Sequence, residues 1–509
     1  MTKFQKQMLT IAAAGALTAV TALPAMAFEN QFNGTFAFKT FLSNFDNTTN
    51  SQAALTGAYG TNRKTNNYTE QRLRLNYTAK ASDDLKLVVQ TEVNTTFGNA
   101  TKNANSAAAS NGAPGTTGVG AGGGIDTDAM NIQLRHAYLD FNIGKSFNMK
   151  LGQQPYNDTL KGLYAGSIDL PMVLATYKQG GYTLGLGYSR FNDSNFLTTS
   201  TNGNSNYAGK YNSDLYLIEN TYAFNKDTKA GLSYYLNVDN SVANSEKKVN
   251  TLGLNGETKI GAITLSGFAA MQAGYQKNPV TRNATTGVVT ALGVNEVTYQ
   301  AWAANVAAKM KTGNGLARTA FLFTSGNNSS NAGFNKGWQT LSTGGATTGG
   351  GAPTTANTYN TMAAQNSYIE GGMMLLTRNP AMGGTQTDTY LRKPVTNIAL
   401  ATMGYDADLT DKVFVNGNVG FAWAPSSYDA PAYNNVAANK NQSDFMGTEM
   451  NIEAGYKLYK NLTLKAQAAY VVLGGYYKNS AFKNSVDGTA GYGDPANPWT
   501  LRAGAFYSF

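Results

Sequence analysis

The last residues of the chain alternate strictly. Trp499, Leu501, Ala503, Ala505, Tyr507 and Phe509 form one set, and Thr500, Arg502, Gly504, Phe506 and Ser508 fall between them. A period of two places the sets on opposite faces of a β-strand. The first face suits lipid, with aromatics at interfacial height, and the second, carrying Arg502, suits a wet lumen. The pattern recurs upstream: Leu73, Leu75 and Tyr77 oppose Arg72, Arg74 and Asn76, and after a turn at Ser82–Asp84 Leu85, Leu87 and Val89 oppose Lys86 and Gln90. Further instances are Tyr182-Leu184-Leu186-Tyr188, Ile263-Leu265-Ala269, Val413-Val415-Val419-Phe421-Trp423 and Met450-Ile452-Ala454-Tyr456-Leu458.

Following the alternation predicts strands at 32–42, 68–79, 85–97, 130–143, 147–154, 172–180, 181–189, 213–224, 229–238, 249–259, 263–274, 297–310, 316–324, 397–409, 412–423, 446–459, 462–473 and 499–509. That is an antiparallel transmembrane β-barrel of about 18 strands, range 16–20, since Ser367 to Arg378 reads as a further strand. Short polar turns, as at Gly144–Ser146, Asn225–Asp227 and Thr410–Lys412, alternate with long Asn/Thr/Ser/Gly/Ala-rich stretches, as at 43–67, 98–128, 325–395 and 474–498. Outer-membrane barrels have short periplasmic turns and long extracellular loops. The pattern resumes in phase after each Gly-rich stretch, so one barrel domain over 28–509 is expected.

Residues 1–27 hold Lys3 and Lys6, an apolar run from Met8 to Val20 and then Ala25-Met26-Ala27. This is the layout of a signal peptide cleaved after Ala27; the run, diluted by Thr10 and Thr18, falls short of the about 20 apolar residues a spanning helix needs. Composition agrees with a barrel in lipid: 55 Gly, 30 Tyr and 23 Phe with a mean hydropathy of −0.31, because only every second strand residue must be apolar. The chain has no Cys, which excludes a disulfide framework, thiolate metal ligands and covalent haem attachment through Cys. No cofactor or metal is expected. Net charge is +9, or 9 − 2 = +7 without Lys3 and Lys6, with no Lys/Arg block of the kind that binds nucleic acid.

A channel needs a lumen with a shape and a field, so the candidate site residues are those that point inward. By parity these are Arg72, Arg74, Lys86, Arg135, Lys150, Arg318, Lys465 and Arg502 against Glu92 and Glu453, eight cations to two anions. Rings of one sign of charge favour permeant ions of the other. The single histidine, His136, lies where the alternation shifts phase between Leu134 and Leu139, which places it beside a bulge or on the outer face.

The segments QRLRLNY (71–77), QLRHAYLDF (133–141) and SFNMKLGQQP (146–155) resemble consecutive strands of the bacterial general-diffusion porins. The aromatic pair Tyr507 and Phe509 resembles the C-terminal assembly signal of outer-membrane barrels. The abundance of Tyr and Asn and the Thr/Gly/Ala-rich loops are also similar to the abundant outer-membrane channel proteins of metal-reducing bacteria. The porin resemblance implies an outer-membrane, passive water-filled channel for small hydrophilic solutes, assembled as a homotrimer among lipid and lipopolysaccharide and not an enzyme. It further implies that Pro155 to Pro171 folds inward to narrow the pore, setting Asp158 and Asp169 against Arg74 (or Arg72) and Arg135. Gln153 stands where those porins carry arginine, and the loop lacks their Pro-Glu-Phe-Gly-Gly segment. With the cationic lean of the lumen, a modest preference for small anions is expected. The alternatives are a sheath around a partner's multihaem cytochrome and a barrel enzyme built on His136. A transporter with a plug domain does not fit a first strand at Phe32.

Overall fold

The computed structural model describes residues 29–45, 65–98, 132–193, 212–240, 245–278, 280–282, 289–291, 294–327, 331, 333–341, 367–377, 390–392, 394–426, 443–478, 481–483 and 491–509. The expected signal peptide and the 98–128 loop therefore lie outside the described residues, apart from Gly98.

Eighteen strands close into one antiparallel barrel: β1 Glu29–Ser43, β2 Asn66–Ser82, β3 Leu85–Thr96, β4 Ile132–Ile143, β5 Phe147–Tyr156, β6 Ile168–Gln179, β7 Tyr182–Asp193, β8 Asn212–Ala223, β9 Thr228–Asp239, β10 Glu246–Ile260, β11 Ile263–Lys277, β12 Glu296–Thr312, β13 Gly315–Thr324, β14 Ile398–Asp408, β15 Val413–Trp423, β16 Phe445–Tyr459, β17 Leu462–Leu473 and β18 Trp499–Ser508. Each strand pairs with its sequence neighbour. The seam closes where β1 meets β18, from Thr35 opposite Ser508 to Ser43 opposite Thr500. Closure leaves no unpaired edge, which is what a strand structure surrounded by hydrocarbon requires. No helix among the described residues is long and apolar enough to cross a membrane.

The outward set of each strand is apolar and uncovered: Ile132, Leu254, Met271, Val306 and Ile452 are all at least half exposed. In water such a surface would be a large liability; against lipid it is the required one. Aromatic pairs flank it near the short-turn end, Phe32 with Tyr77, Phe147 with Tyr177 and Tyr507 with Phe509, with ring centroids 4.9, 4.8 and 5.5 Å apart. Others lie nearer the long-loop end, as Trp302 with Phe323 at 4.3 Å. Tight turns at the short end use glycine where the backbone is left-handed, as at Gly180 (φ 58°) and Gly261 (φ 61°), a conformation Cβ disfavours.

All eighteen expected strands are present, including 172–180 and 397–409, which have the weakest alternation. The segment from Ser367, which reads as a further strand, is not one: its described part, 367–377, is irregular and runs inside the barrel. There the contacts that bury Met373, Leu375 and Leu376 completely replace strand pairing.

Candidate functional site

The inner face of β2 carries Glu70, Arg72 and Arg74 in succession, and β3 sets Asn94 opposite Arg72 and Glu92 opposite Arg74. The side chains follow the register. Arg72 Nε donates to Asn94 Oδ1 at 2.6 Å, Arg74 Nε to Glu92 Oε2 at 2.6 Å, and Asn94 Nδ2 to Glu92 Oε1 at 2.6 Å. The next strand adds a third guanidinium. Gln90 pairs with His136 but Thr91 with Leu134, so Arg135 is the extra residue of a β-bulge. The bulge lets two consecutive residues serve one side: Arg135 Nε donates to Asp169 Oδ2 at 2.6 Å, and His136 Nε2 lies 2.7 Å from Asp169 Oδ1. Arg135 Nη1 also reaches Glu92 Oε2 at 3.3 Å. Beyond the bulge the outward phase changes from Ile132 and Leu134 to Leu139 and Ile143, the shift visible in the sequence. His136 is thus beside the bulge and buried, not on the outer face.

Three like charges share one stretch of wall because carboxylates stand between them. The Arg74 and Arg135 side chains keep 29% and 24% of their surface in water, against 10% for Arg72. These two are the members of the cluster most open to the lumen.

The connection 157–167 folds into the barrel. Its carboxylate Asp158 accepts the backbone amides of Leu160, Gly162, Tyr164 and Ala165 at 2.6–2.8 Å, so it organises the loop itself. Burial pushes this carboxyl up to about 6 while the four amide bonds pull it back. Thr159 Oγ1 reaches Ser233 Oγ (2.6 Å) and Tyr235 Oη (2.9 Å) on β9. Leu160 packs on Gly253 of β10, where a Cβ would come within 2.7 Å of its Cδ2.

A second inserted segment, 367–377, meets the first. Ser367 N donates to Gly162 O (3.0 Å), and Glu370 bridges Lys161 of the first loop (3.1 Å) and Lys309 of β12 (3.0 Å). Burial raises the Glu370 carboxyl, but the two ammonium groups outweigh it and hold it below the usual glutamate range. At the far end the backbone amides of Met374, Leu375 and Leu376 all donate to Glu449 on β16, at 2.6, 3.0 and 2.6 Å.

Together the two segments divide the lumen. They cover an apolar inner wall that includes Leu215, Tyr235, Phe268, Ala301, Leu322 and Leu400. The opposite wall, from β16 through β18 and β1 to β5, presents Glu453, Gln467, Lys39, Arg72, Glu92 and Asp140 inward.

The remaining expected site residues are spread along the wall. Arg318 on β13 pairs with Asp406 at 2.8 Å and donates to Asn418 at 2.6 Å. Lys465 pairs with Glu453 at 3.1 Å; Arg502, 4% exposed, stacks its guanidinium over Phe41 at 5.4 Å. Lys86 and Lys150 flank Asp140 at 3.3 and 4.0 Å. Two expectations need correction. Asp158 does not face the arginines, because its own loop amides saturate it. Asp169 belongs to the start of β6, not to the loop, and stands beside Arg135 as a partner, not across the pore. The eight-to-two balance is also revised: Glu70, Asp140, Glu219, Asp406 and Glu449 point inward too. Parity along β2, β8, β14 and β16 identifies four of these from the sequence; Asp140 needs the phase change at the bulge.

No protein-family model matches the chain, and no curated protein matches it in sequence. Among solved structures, OccAB1 of Acinetobacter baumannii aligns at 11% identity over 94% of this chain and 96% of that one, with a TM-score of 0.50. The outer membrane protein OpdK of Pseudomonas aeruginosa aligns at 10% identity over 94% and 98%, at 0.49. OccK2 of the same organism, in complex with glucuronate, aligns at 11% over 94% and 98%, at 0.48. At these identities the likeness is one of fold.

Proposed function

We propose that this barrel is an outer-membrane porin, a passive channel for small hydrophilic solutes with a modest anion preference, exported by cleavage after Ala27. The observation that carries the reading is the divided lumen: on one side two inserted segments pack over the apolar residues of the inner wall, while the other side is lined by charged and amide side chains. A packed soluble core has no use for a polar half, and an apolar outer surface has no use outside lipid. Solute then passes along β16–β18 and β1–β5, beside Arg74 and Arg135.

The inserted segments occupy space that a haem protein threaded through the barrel would need, which argues against the sheath alternative. Purified protein in a planar bilayer should give discrete, ohmic conductance steps in KCl; a folded barrel that leaves the bilayer sealed refutes the reading. As with general-diffusion porins we propose a homotrimer, checked by mass in mild detergent, where a monodisperse species of one chain contradicts it.

A further inference from the structure

The arginines of the β2–β4 wall are compensated. Arg72, Arg74 and Arg135 share their wall with Glu70, Glu92 and Asp169, and further round the barrel Arg318 and Lys465 are matched by Asp406 and Glu453. Lys39 and Arg502 also point inward but are 2% and 4% exposed, out of reach of a passing ion.

At the short-turn rim the balance differs. Lys178 on β6, Lys259 on β10, Lys311 on β12 and Lys457 on β16 each lie one or two residues from the end of their strand. The alternation turns all four inward, since the adjacent Tyr177, Ile260, Met310 and Tyr456 belong to the outer apolar face. All four are exposed, and among the described residues none has a carboxylate within ion-pair distance. The adjoining short turns add Lys145, Lys226, Lys412 and Lys460, also without an ion pair among the described residues, while the carboxylates at this level without a cation are Asp84, which shares a cleft with Lys178, Asp227, Asp411 and Asp408, in a cleft of about 650 Å³ lined also by Lys311 and Lys457. Eight lysines stand against four aspartates, and they run from the β4–β5 turn through β6, β10 and β12 to β16 and the β16–β17 turn, so the excess lines the rim up to both flanks of the polar wall.

We propose that this lysine ring, not the arginine cluster, sets the charge selectivity of the pore by concentrating small anions at the periplasmic mouth. The proposal rests on reading the barrel as a channel. A ring of fixed charge raises the local density of the opposite ion and excludes its own sign. Placed at one mouth, it also makes selectivity depend on which side holds dilute salt. The screening length is about 10 Å at 0.1 M and about 3 Å at 1 M, so the ring's field spans the mouth only when the dilute solution bathes it.

The test is the reversal potential of single channels in a tenfold KCl gradient, measured on the same channel with the gradient in each direction. The wild type should favour chloride, and by a larger margin in one direction than in the other. The quadruple variant Lys178→Gln, Lys259→Gln, Lys311→Gln and Lys457→Gln should lose that asymmetry and shift toward potassium. Glutamate at the same four positions should reverse the sign of the asymmetry. All four side chains are exposed and outside the strand hydrogen-bond ladder, so both variants should fold, as heat-modifiable gel migration will show. Conductance with the wild-type asymmetry retained in both variants overturns the proposal while leaving the channel intact; absence of any conductance in the wild type overturns the channel reading instead.

Discussion

Glu449 is the anchor of the 367–377 segment, and replacing it by glutamine weakens the hold of the barrel on the segment without touching the strand ladder. The side chain is completely buried. One oxygen accepts the amide of Met374 and the side chain of Asn451 (2.7 Å); the other accepts the amides of Leu375 and Leu376. Glutamine presents one acceptor oxygen and one donor, so whichever way its amide is turned, two donors face a donor. Hydrogen bonds to a charged acceptor are worth roughly 1.5–3 kcal/mol each, so the anchor loses on the order of 3–6 kcal/mol. At about 1.4 kcal/mol per tenfold, the equilibrium constant for seating falls more than a hundredfold, set against the remaining contacts of Glu370 and of Tyr368 with Asn305. Single-channel recordings of Glu449→Gln should show larger mean conductance and greater open-state noise than wild type, with the barrel still resistant to detergent. A folded variant with wild-type conductance and noise would mean that the segment does not narrow the path, and the divided lumen would lose its functional meaning.

Neutralising Arg74 and Arg135 together leaves Glu70, Glu92 and Asp169 facing Arg72 alone, so the reversal potential should move toward cations; an unchanged value at low salt means these side chains do not meet permeating ions. The Glu370 bridge gives a pH dependence. Its carboxyl lies below the ordinary value of 4.5 in the seated segment, so its contribution is complete above about pH 4.5 and disappears as pH falls through the depressed value. Channel noise should therefore rise only in acid, and Glu370→Gln should show the raised noise at neutral pH; noise independent of both removes the bridge from the account. Phe509 exchanges two backbone hydrogen bonds with Gly34 at the seam, 2.9 and 3.1 Å, so its deletion should lower the amount of assembled barrel in the outer membrane, and normal levels would count against a terminal role.

The strands were legible because the information in them is local. Alternation along a segment such as Met450 to Leu458 requires only that one face meet lipid, and lipid is the same on every side of the barrel, so no distant residue has to be known. The phase change round His136 was readable for the same reason, since a bulge is a property of one strand and its neighbour. What fills the barrel was decided elsewhere. Ser367 to Thr377 has enough apolar residues to suggest a strand, and it becomes an inserted segment because Glu449, Lys309 and Lys161, at 72 or more positions, 58 or more and 206 or more away in the chain, supply its partners. Asp158, which the porin resemblance places on one wall of a constriction, is spent on the amides of its own turn, and that turn is seated where Leu160 meets Gly253 of a distant strand. Electrostatics divides in the same way. Parity tells which residues face the lumen, whereas whether a lumen charge acts on a passing ion depends on the carboxylate that the closed barrel sets beside it, as Glu92 is set between Arg74 and Arg135, and that neighbour comes from another strand.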